Sequence, residues 1–146
     1  MRSSALPFLV AGILCVAADA GEPKDLMPRV PARSIDAARR VTNPLVSTPE
    51  HLEKGRELYL RKGFCSACHG RDGKGLGSGV DYSRLRGALP RDLTDPAWQR
   101  ARTDGELLWI LRNGSQETAM ASFVPLVLDE EEAWQVLLYV RSLGQR

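Results

Sequence analysis

The feature that most constrains this chain is a cluster of reactive side chains at residues 65–69, "CSACH". The whole chain has three cysteines and two histidines, and this pentapeptide holds Cys65, Cys68 and His69. On a helix, side chains three positions apart lie on one face, and the next residue continues that surface. The fold must therefore present two sulfur atoms and one imidazole to a common neighbour.

A Cys-x-x-Cys-His pattern is typical of c-type haem attachment, in which the cysteines form thioethers and the histidine binds the iron. Three alternatives stay open at this point. A redox dithiol or disulfide would use Cys65 and Cys68 alone, but this sequence lacks the βαβ pattern beside which thioredoxin-like motifs lie. A zinc site would need a fourth ligand, and the other histidine is His51. The third alternative is a chance match to a short pattern.

The first 20 residues, "MRSSALPFLVAGILCVAADA", have the pattern of a secretory signal. A basic start is followed by an apolar run and by small residues before an expected cleavage after Ala20. Because the run is shorter than the roughly 20 residues of a spanning helix, we expect residues 1–20 to be removed, Cys15 with them. An uncleaved anchor is the alternative. The mature protein is predicted to be periplasmic, with no membrane span.

The remaining chain divides by composition. Residues 21–46 contain four prolines and little helical periodicity, which predicts an arm or linker. Residues 47–146 are predicted to form one domain.

Three helices are predicted from their ends, over residues 48–61, 103–114 and 129–144. The first begins with a Thr-Pro pair, and the other two begin with capping-box patterns. No alternating stretch predicts a strand, so the fold class is all-α. Two long tracts, 70–102 and 113–128, lack periodicity. Such tracts are unusual in a small domain unless something fills its centre, and a large apolar cofactor would do so.

A haem iron bound by one histidine has a second axial position, for which the chain offers Met27, His51 and Met120. Met27 lies in the proline-rich arm, and His51 lies in the first helix, whose apolar face is needed for packing. Met120 lies in a loop among small neighbours. Although a lone methionine often only fills a core, this loop does not have the pattern of a packing face, and Met120 is predicted as the second iron ligand.

Residues 49–143 resemble a monohaem class I cytochrome c of the bacterial periplasmic kind. The resemblance lies in a Gly-x-x-x-Tyr step at 55–59 and in the stretches "CSACHGRDGKGLGSG", "LPRDLTDPAW", "LLWILRNGSQETAMASF" and "LDEEEAWQVLLYVRSL". It implies three to four helices and long loops wrapped around one haem c, covalently bound through Cys65 and Cys68.

The resemblance also implies specific contacts. Gly55 and Tyr59 are expected to cross the last helix near residues 136–139, with glycine allowing close approach. A backbone carbonyl after the glycine-rich loop, near Ser78, is expected to accept the free ring N–H of His69 and so fix the imidazole tautomer.

This sequence departs from the family pattern at two places where proline is common. Ser78 ends the glycine-rich loop, and Ala121 follows Met120. The alanine at residue 121 constrains the backbone of the Met120 loop less than a proline would.

Two further cofactor contacts are predicted. Arg91 is expected to pair with a haem propionate and Trp98 to donate its indole N–H to one, the alternatives being a solvated arginine and a core tryptophan.

The glycine-rich stretch, residues 70–79, follows no predicted strand, so a nucleotide-binding interpretation is disfavoured and loop flexibility is expected.

With two protein ligands on iron, no coordination position is open to a substrate. The predicted function is therefore one-electron transfer and not catalysis. The alternatives are a haem c subunit of one periplasmic oxidoreductase and a haem-based ligand sensor.

Charge limits the partners. Residues 47–146 have fourteen basic and fourteen acidic side chains, and nothing indicates nucleic acid. Within them, residues 54–102 hold eleven basic against five acidic residues, whereas 129–132 are all acidic. A basic surround would steer an acidic redox partner. The protein is expected to be a monomer or a subunit of a complex, onto which residues 21–46 could dock.

Overall fold

The computed structural model describes residues 26–77, 81–85 and 87–145. Its α-helices are α1 (Ala32–Arg39), α2 (Pro49–Leu60), α3 (Cys65–His69), α4 (Pro96–Ala101), α5 (Asp104–Asn113) and α6 (Glu130–Leu143). A short 3₁₀ helix spans Tyr82–Arg84, and the described ranges contain no strand. The all-α class is confirmed. The described residues form more helices than the three to four expected, because short helices also form in the arm, at the cysteine motif and before α5.

The ends of the three predicted helices lie where their capping residues predict them. The Thr48 side chain accepts a backbone N–H at the start of α2. At the start of α5, Thr103 and Glu106 form a reciprocal capping box, and Asp129 and Glu132 do the same for α6. Each box satisfies backbone N–H groups that a helix start leaves without partners. Local hydrogen bonding therefore sets these boundaries, and the sequence alone predicts them.

Helices α2 and α6 cross at Gly55. A β-carbon at this position would lie 2.0 Å from the Gln135 carbonyl oxygen and 3.0 Å from Cβ of Tyr139, so the helices approach to a distance that only glycine permits. One turn later, the Tyr59 and Tyr139 rings meet edge to face with centroids 5.2 Å apart. The crossing expected for Gly55 and Tyr59 is confirmed at Tyr139.

We expect Gly55→Ala to destabilise the protein. The methyl group would strike a backbone carbonyl, which cannot rotate away, and overpacking of this kind costs about 1 to 3 kcal/mol. That cost exceeds the gain of at most about 1 kcal/mol from replacing a helical glycine. Chemical denaturation would measure the free energy of unfolding, with the exposed neighbour Lys54→Ala as control. Equal stability of the two variants would contradict the close crossing.

Helix α6 is buried on two sides, as its apolar circumference predicts. One face packs against α2 and the loop after α5, and the other packs against α5. Trp98 and Val124 contact both clusters. The fully or nearly buried side chains of α6 are Ala133, Trp134, Gln135, Val136, Leu137, Tyr139, Val140 and Leu143. Helix α6 is therefore the central element of the hydrophobic core.

The described part of the arm, residues 26–46, is folded against the domain instead of extending as a free tether. Its helix α1 packs on α5 at Gly105, where a β-carbon would lie 1.9 Å from the carbonyl oxygen of Ala38. After α1, the Asn43 side chain donates to the backbone carbonyl of Trp134 at 3.1 Å. The sequence analysis did not predict this packing, because the four prolines of residues 21–46 are typical of a linker. The division of the chain at residue 46 stays a prediction.

The expected secretory signal, residues 1–20 with Cys15, lies outside the described residues. Among the helices described from residue 26 onward, none is long and apolar enough to cross a membrane.

Candidate haem-binding site

The short helix α3 presents Cys65, Cys68 and His69 within five residues. It begins after Phe64, whose φ of 50° turns the chain sharply into the helix. Both cysteines are free thiols, and both are half-buried. Burial raises the pKa of the Cys65 thiol to about 12, so this sulfur is protonated at neutral pH. The helix therefore offers two thiols one turn apart, followed directly by an imidazole.

The zinc interpretation lacks ligands. Within the described ranges, no group of three or more His, Cys, Asp or Glu side chains is arranged to hold a metal ion. A structural zinc site needs four ligands that converge tetrahedrally. The motif side chains therefore do not form such a site with each other or with described neighbours.

The imidazole of His69 is oriented by the backbone. Its Nδ1 lies 3.0 Å from the carbonyl oxygen of Arg91, to which it donates, and Nε2 is left as the ring nitrogen for a metal. Burial lowers the pKa of His69, and the Arg91 hydrogen bond opposes that shift; a neutral imidazole results. The carbonyl was expected near Ser78, which lies outside the described residues. The carbonyl that the structure brings to Nδ1 belongs to Arg91.

Two tyrosines that the sequence analysis did not assign to the site fix the carbonyl end of α3. The buried Tyr59 hydroxyl donates to the carbonyl oxygen of Gly70 at 2.8 Å. Tyr82 donates to the carbonyl oxygens of Cys68 at 3.0 Å and Gly77 at 2.7 Å. Burial raises the pKa of Tyr59, which keeps its hydroxyl a donor. The motif is thus held by bonds that no local pattern indicates.

The described part of the glycine-rich stretch, residues 70–77, packs directly on α3. A β-carbon at Gly77 would lie 2.3 Å from the carbonyl oxygens of both Ser66 and Ala67, and Gly75 donates its N–H to the carbonyl of His69 at 2.8 Å. Close backbone approach therefore explains glycine at residue 77. The loop flexibility expected from the sequence stays a prediction.

A cavity of about 260 Å³ lies beside α3. Cys65, Cys68 and His69 line one part of it, and α5, α6 and the loop at 115–123 line the rest. Its walls are mainly apolar. They include Leu107, Leu111, Phe123, Val136, Leu137 and Val140. Such a space suits a large apolar group, as the two long aperiodic tracts predicted.

Met120 lines the same cavity as the motif residues. Hydrogen bonds hold its loop: the Met120 carbonyl accepts the Ser115 N–H at 2.9 Å, and its own N–H lies 3.2 Å from the Thr118 hydroxyl oxygen. These bonds order the backbone although Ala121 stands where proline is common in the resembling family.

The other ligand candidates differ from Met120. The His51 ring lies 2.8 Å from the carbonyl oxygen of Val46, and His51 is not among the described residues that line the cavity. Met27 does line it, although its side chain is 56% exposed. Trp98 and Arg91 line it too. Contacts of Trp98 and Arg91 with a haem propionate stay predictions.

The residues on the cavity wall fit a haem c. The donor set consists of two thiols one helical turn apart, an imidazole whose Nε2 is available and a thioether sulfur, all on one mainly apolar cavity. Thiols can bond to the vinyl groups of the porphyrin, while imidazole and thioether are haem ligands in cytochromes c.

Comparison with known proteins agrees with this chemistry. Residues 50–140, more than half of the chain, match the family described as cytochrome C oxidase, cbb3-type, subunit III. No curated protein sequence is similar enough to count as a relative.

Several solved structures resemble the chain. One is the reducing HAO-like protein complex of Kuenenia stuttgartiensis, with 26% identity and a TM-score of 0.53 over 68% of this chain and 46% of that one. The match thus spans less than half of that protein. The KustC0563 c-type cytochrome is 31% identical, with a TM-score of 0.48 over 61% and 95% of the two chains. Cytochrome CL of Methylophaga aminisulfidivorans is 18% identical, with a TM-score of 0.49 over 84% and 70%.

The family match covers the cysteine motif, the Met120 loop and residues 130–140 of α6, and the fold resembles that of the Kuenenia stuttgartiensis structure with a TM-score of 0.53. The chain therefore belongs to the family described as cytochrome C oxidase, cbb3-type, subunit III, and is a c-type cytochrome.

Proposed function

We propose that the protein is a periplasmic one-electron carrier. One haem c is attached through Cys65 and Cys68, and His69 and Met120 are the axial ligands. The observation that carries this proposal is the common cavity that Cys65, Cys68, His69 and Met120 all line. The localisation rests on the signal pattern of residues 1–20.

The chain's own residues prepare the ligands. The Arg91 carbonyl holds the Nδ1 proton of His69 and so directs Nε2 to the metal, while Tyr82 and Tyr59 restrain the backbone around the motif. The bound haem supplies reversible exchange of one electron between ferric and ferrous iron. A thioether ligand and an apolar wall disfavour the extra charge of the ferric state, which raises the reduction potential.

Two protein ligands also restrict the chemistry. With His69 and Met120 both holding the iron, no ligand position would be left for an exogenous molecule. A haem held by these residues would supply one-electron exchange and would not transform a bound substrate. The protein is accordingly proposed to be an electron-transfer protein and not an enzyme by itself.

The partners proposed for this carrier are redox proteins. Exposed apolar side chains stand at the cavity rim, with Met27, Phe64 and Leu89 exposed by 56%, 70% and 58%. Basic residues predominate over residues 54–102. An apolar rim, three arginines on the cavity wall and an excess of basic residues in this stretch suit an acidic electron donor or acceptor.

A second candidate is a haem c subunit of one oxidoreductase complex. The similar Kuenenia stuttgartiensis structure is that of a protein complex. The present chain spans 46% of the matched chain in that complex. The apolar rim would equally suit a permanent partner, because obligate interfaces are more apolar than transient ones.

The mature protein, purified from its host, tests the proposal. We expect pigment to stay with the polypeptide in a denaturing gel and in acid acetone, because thioethers are covalent. We also expect reversible reduction, the long-wavelength absorption band of methionine-ligated ferric haem, and no carbon monoxide binding by the reduced form. Extraction of the pigment would overturn the attachment, and carbon monoxide binding would favour the sensor.

A free carrier and a subunit of a complex are expected to behave differently during purification. A carrier elutes alone and exchanges electrons with several acidic redox proteins at rates that fall as salt rises. A subunit elutes with a fixed partner at constant stoichiometry.

A further inference from the structure

A carboxylate is buried in the wall of the cavity. Glu106 is 1% exposed and lines the cavity together with Arg102, which is 7% exposed. Its Oε2 accepts the backbone N–H of Thr103 at 2.7 Å. Its Oε1 lies 3.5 Å from Nη1 of Arg102 and 3.4 Å from Nη2 of Arg39. The capping box explains the hydrogen bond to Thr103 but not the two arginines.

The two arginines come from different parts of the chain. Arg102 directly follows α4, whereas Arg39 is the last residue of α1, in the arm. The arm lies outside residues 50–140, which match the family. Its position is fixed by the close contact of α1 with Gly105 and by the bond from Asn43 to α6. Arg39 of the arm thus lies beside the carboxylate of Glu106, which belongs to the domain.

Glu106 is the one acidic side chain among the described residues that line the cavity. Among the described residues that line the cavity, the charged side chains are Arg29, Arg91, Arg102 and Glu106. Charges in an apolar, partly buried site interact more strongly than charges in water. A change in the charge that balances Glu106 should therefore be felt by any group in the cavity whose own charge changes.

We propose that the arm is an electrostatic part of the haem site. Arg39 and Arg102 together offset Glu106 and thereby raise the reduction potential of the iron, and displacement of the arm lowers it. The proposal rests on the proposed function, since it requires a haem in this cavity. By linkage, the arm binds the domain more tightly when the iron is ferrous. A partner that draws the arm away would make the protein a stronger reductant.

The direction follows from the charge on the iron. Oxidation adds one positive charge to the haem, which nearby cations disfavour and nearby anions favour. Loss of Arg39 or Arg102 leaves Glu106 less compensated and stabilises ferric iron. Loss of the Glu106 charge, with both arginines kept, stabilises ferrous iron. Variants of one cluster should thus move the potential in opposite directions, an outcome that general loosening of the structure does not produce.

The test measures midpoint potentials of the full-length holoprotein as wild type, Arg39→Gln, Arg102→Gln and Glu106→Gln. We expect the two arginine variants to raise the ferric-to-ferrous ratio at a fixed potential by about three- to tenfold, which corresponds to a decrease of roughly 30 to 60 mV. Glu106→Gln should shift it by a similar amount in the opposite direction. Arg40→Gln is the matched control, because it removes the same charge from an exposed residue next to Arg39 and should leave the potential unchanged.

The half-exposed Arg39 gives the decisive variant if Arg102→Gln fails to fold, because its side chain is 45% exposed. An unchanged potential in Arg39→Gln, an equal shift in Arg40→Gln, or a shift of the same sign in Arg39→Gln and Glu106→Gln would overturn the proposal. Failure of the proposed function is distinguishable, since the wild type would then lack covalently bound haem and give no midpoint potential to compare.

Discussion

Replacement of Met120 by alanine is expected to leave haem covalently attached while opening one axial position of the iron. The thioether that favours the ferrous state would be lost, so the midpoint potential should fall. The expected decrease is on the order of one to a few tenths of a volt, within the roughly 0.8 V over which axial ligands act. The reduced variant should bind carbon monoxide, which the wild type excludes. Redox titration and the spectrum of the reduced protein under carbon monoxide measure both effects.

A methionine that only fills the core predicts a different result. Its truncation would cost about 2 to 5 kcal/mol of stability and leave the spectrum unchanged. Met27→Ala is the matched control, because Met27 is the second thioether on the cavity wall and is mostly exposed. We expect its spectrum and carbon monoxide exclusion to match those of the wild type. If Met27→Ala opens the iron and Met120→Ala does not, the arm supplies the ligand. If His51→Ala alone does so, the iron is bis-histidine and the assignment as a high-potential carrier is wrong.

The parts of the fold that the sequence predicts are those that local chemistry determines. The helix starts at Thr103 and Asp129 depend on side chains that bond to backbone groups three residues away, and such bonds are visible in a linear pattern. The cofactor was indicated by the spacing within residues 65–69, because attachment needs both sulfurs on one helical turn.

Contacts between distant residues were less predictable. Helix α1 was concealed because proline-rich flanks predict a linker, and its packing depends on a tertiary contact with Gly105. The carbonyl partner of His69 was expected near Ser78, but an Arg91 carbonyl reaches the ring, 22 residues from His69 in sequence. The burial of Glu106 was also missed. A capping glutamate usually faces solvent, and the pattern does not reveal that Arg102 is buried beside it and that Arg39 contacts it from the arm.

Loss of the His69 imidazole is expected to abolish the mature holoprotein. His69 is the proposed ligand from α3, and its ring is already positioned by the Arg91 carbonyl, so His69→Ala removes both a metal bond and the group that orients the motif towards the iron. Cys65→Ala and Cys68→Ala each remove one thioether and should lower the yield of holoprotein severalfold without abolishing it. The measurement is haem absorbance per mole of purified polypeptide, with haem staining of a denaturing gel.

The chain supplies its own control for these cysteine variants. Cys15 lies within the predicted secretory signal, so Cys15→Ala should give the wild-type haem content after maturation. Without haem, the apolar walls around the cavity lose the group that they enclose, and side chains such as Leu111 and Val136 lose packing contacts. The His69→Ala polypeptide should therefore unfold at a lower denaturant concentration than the holoprotein. A His69→Ala protein that keeps full haem content and stability would show that the imidazole neither binds the iron nor organises the site.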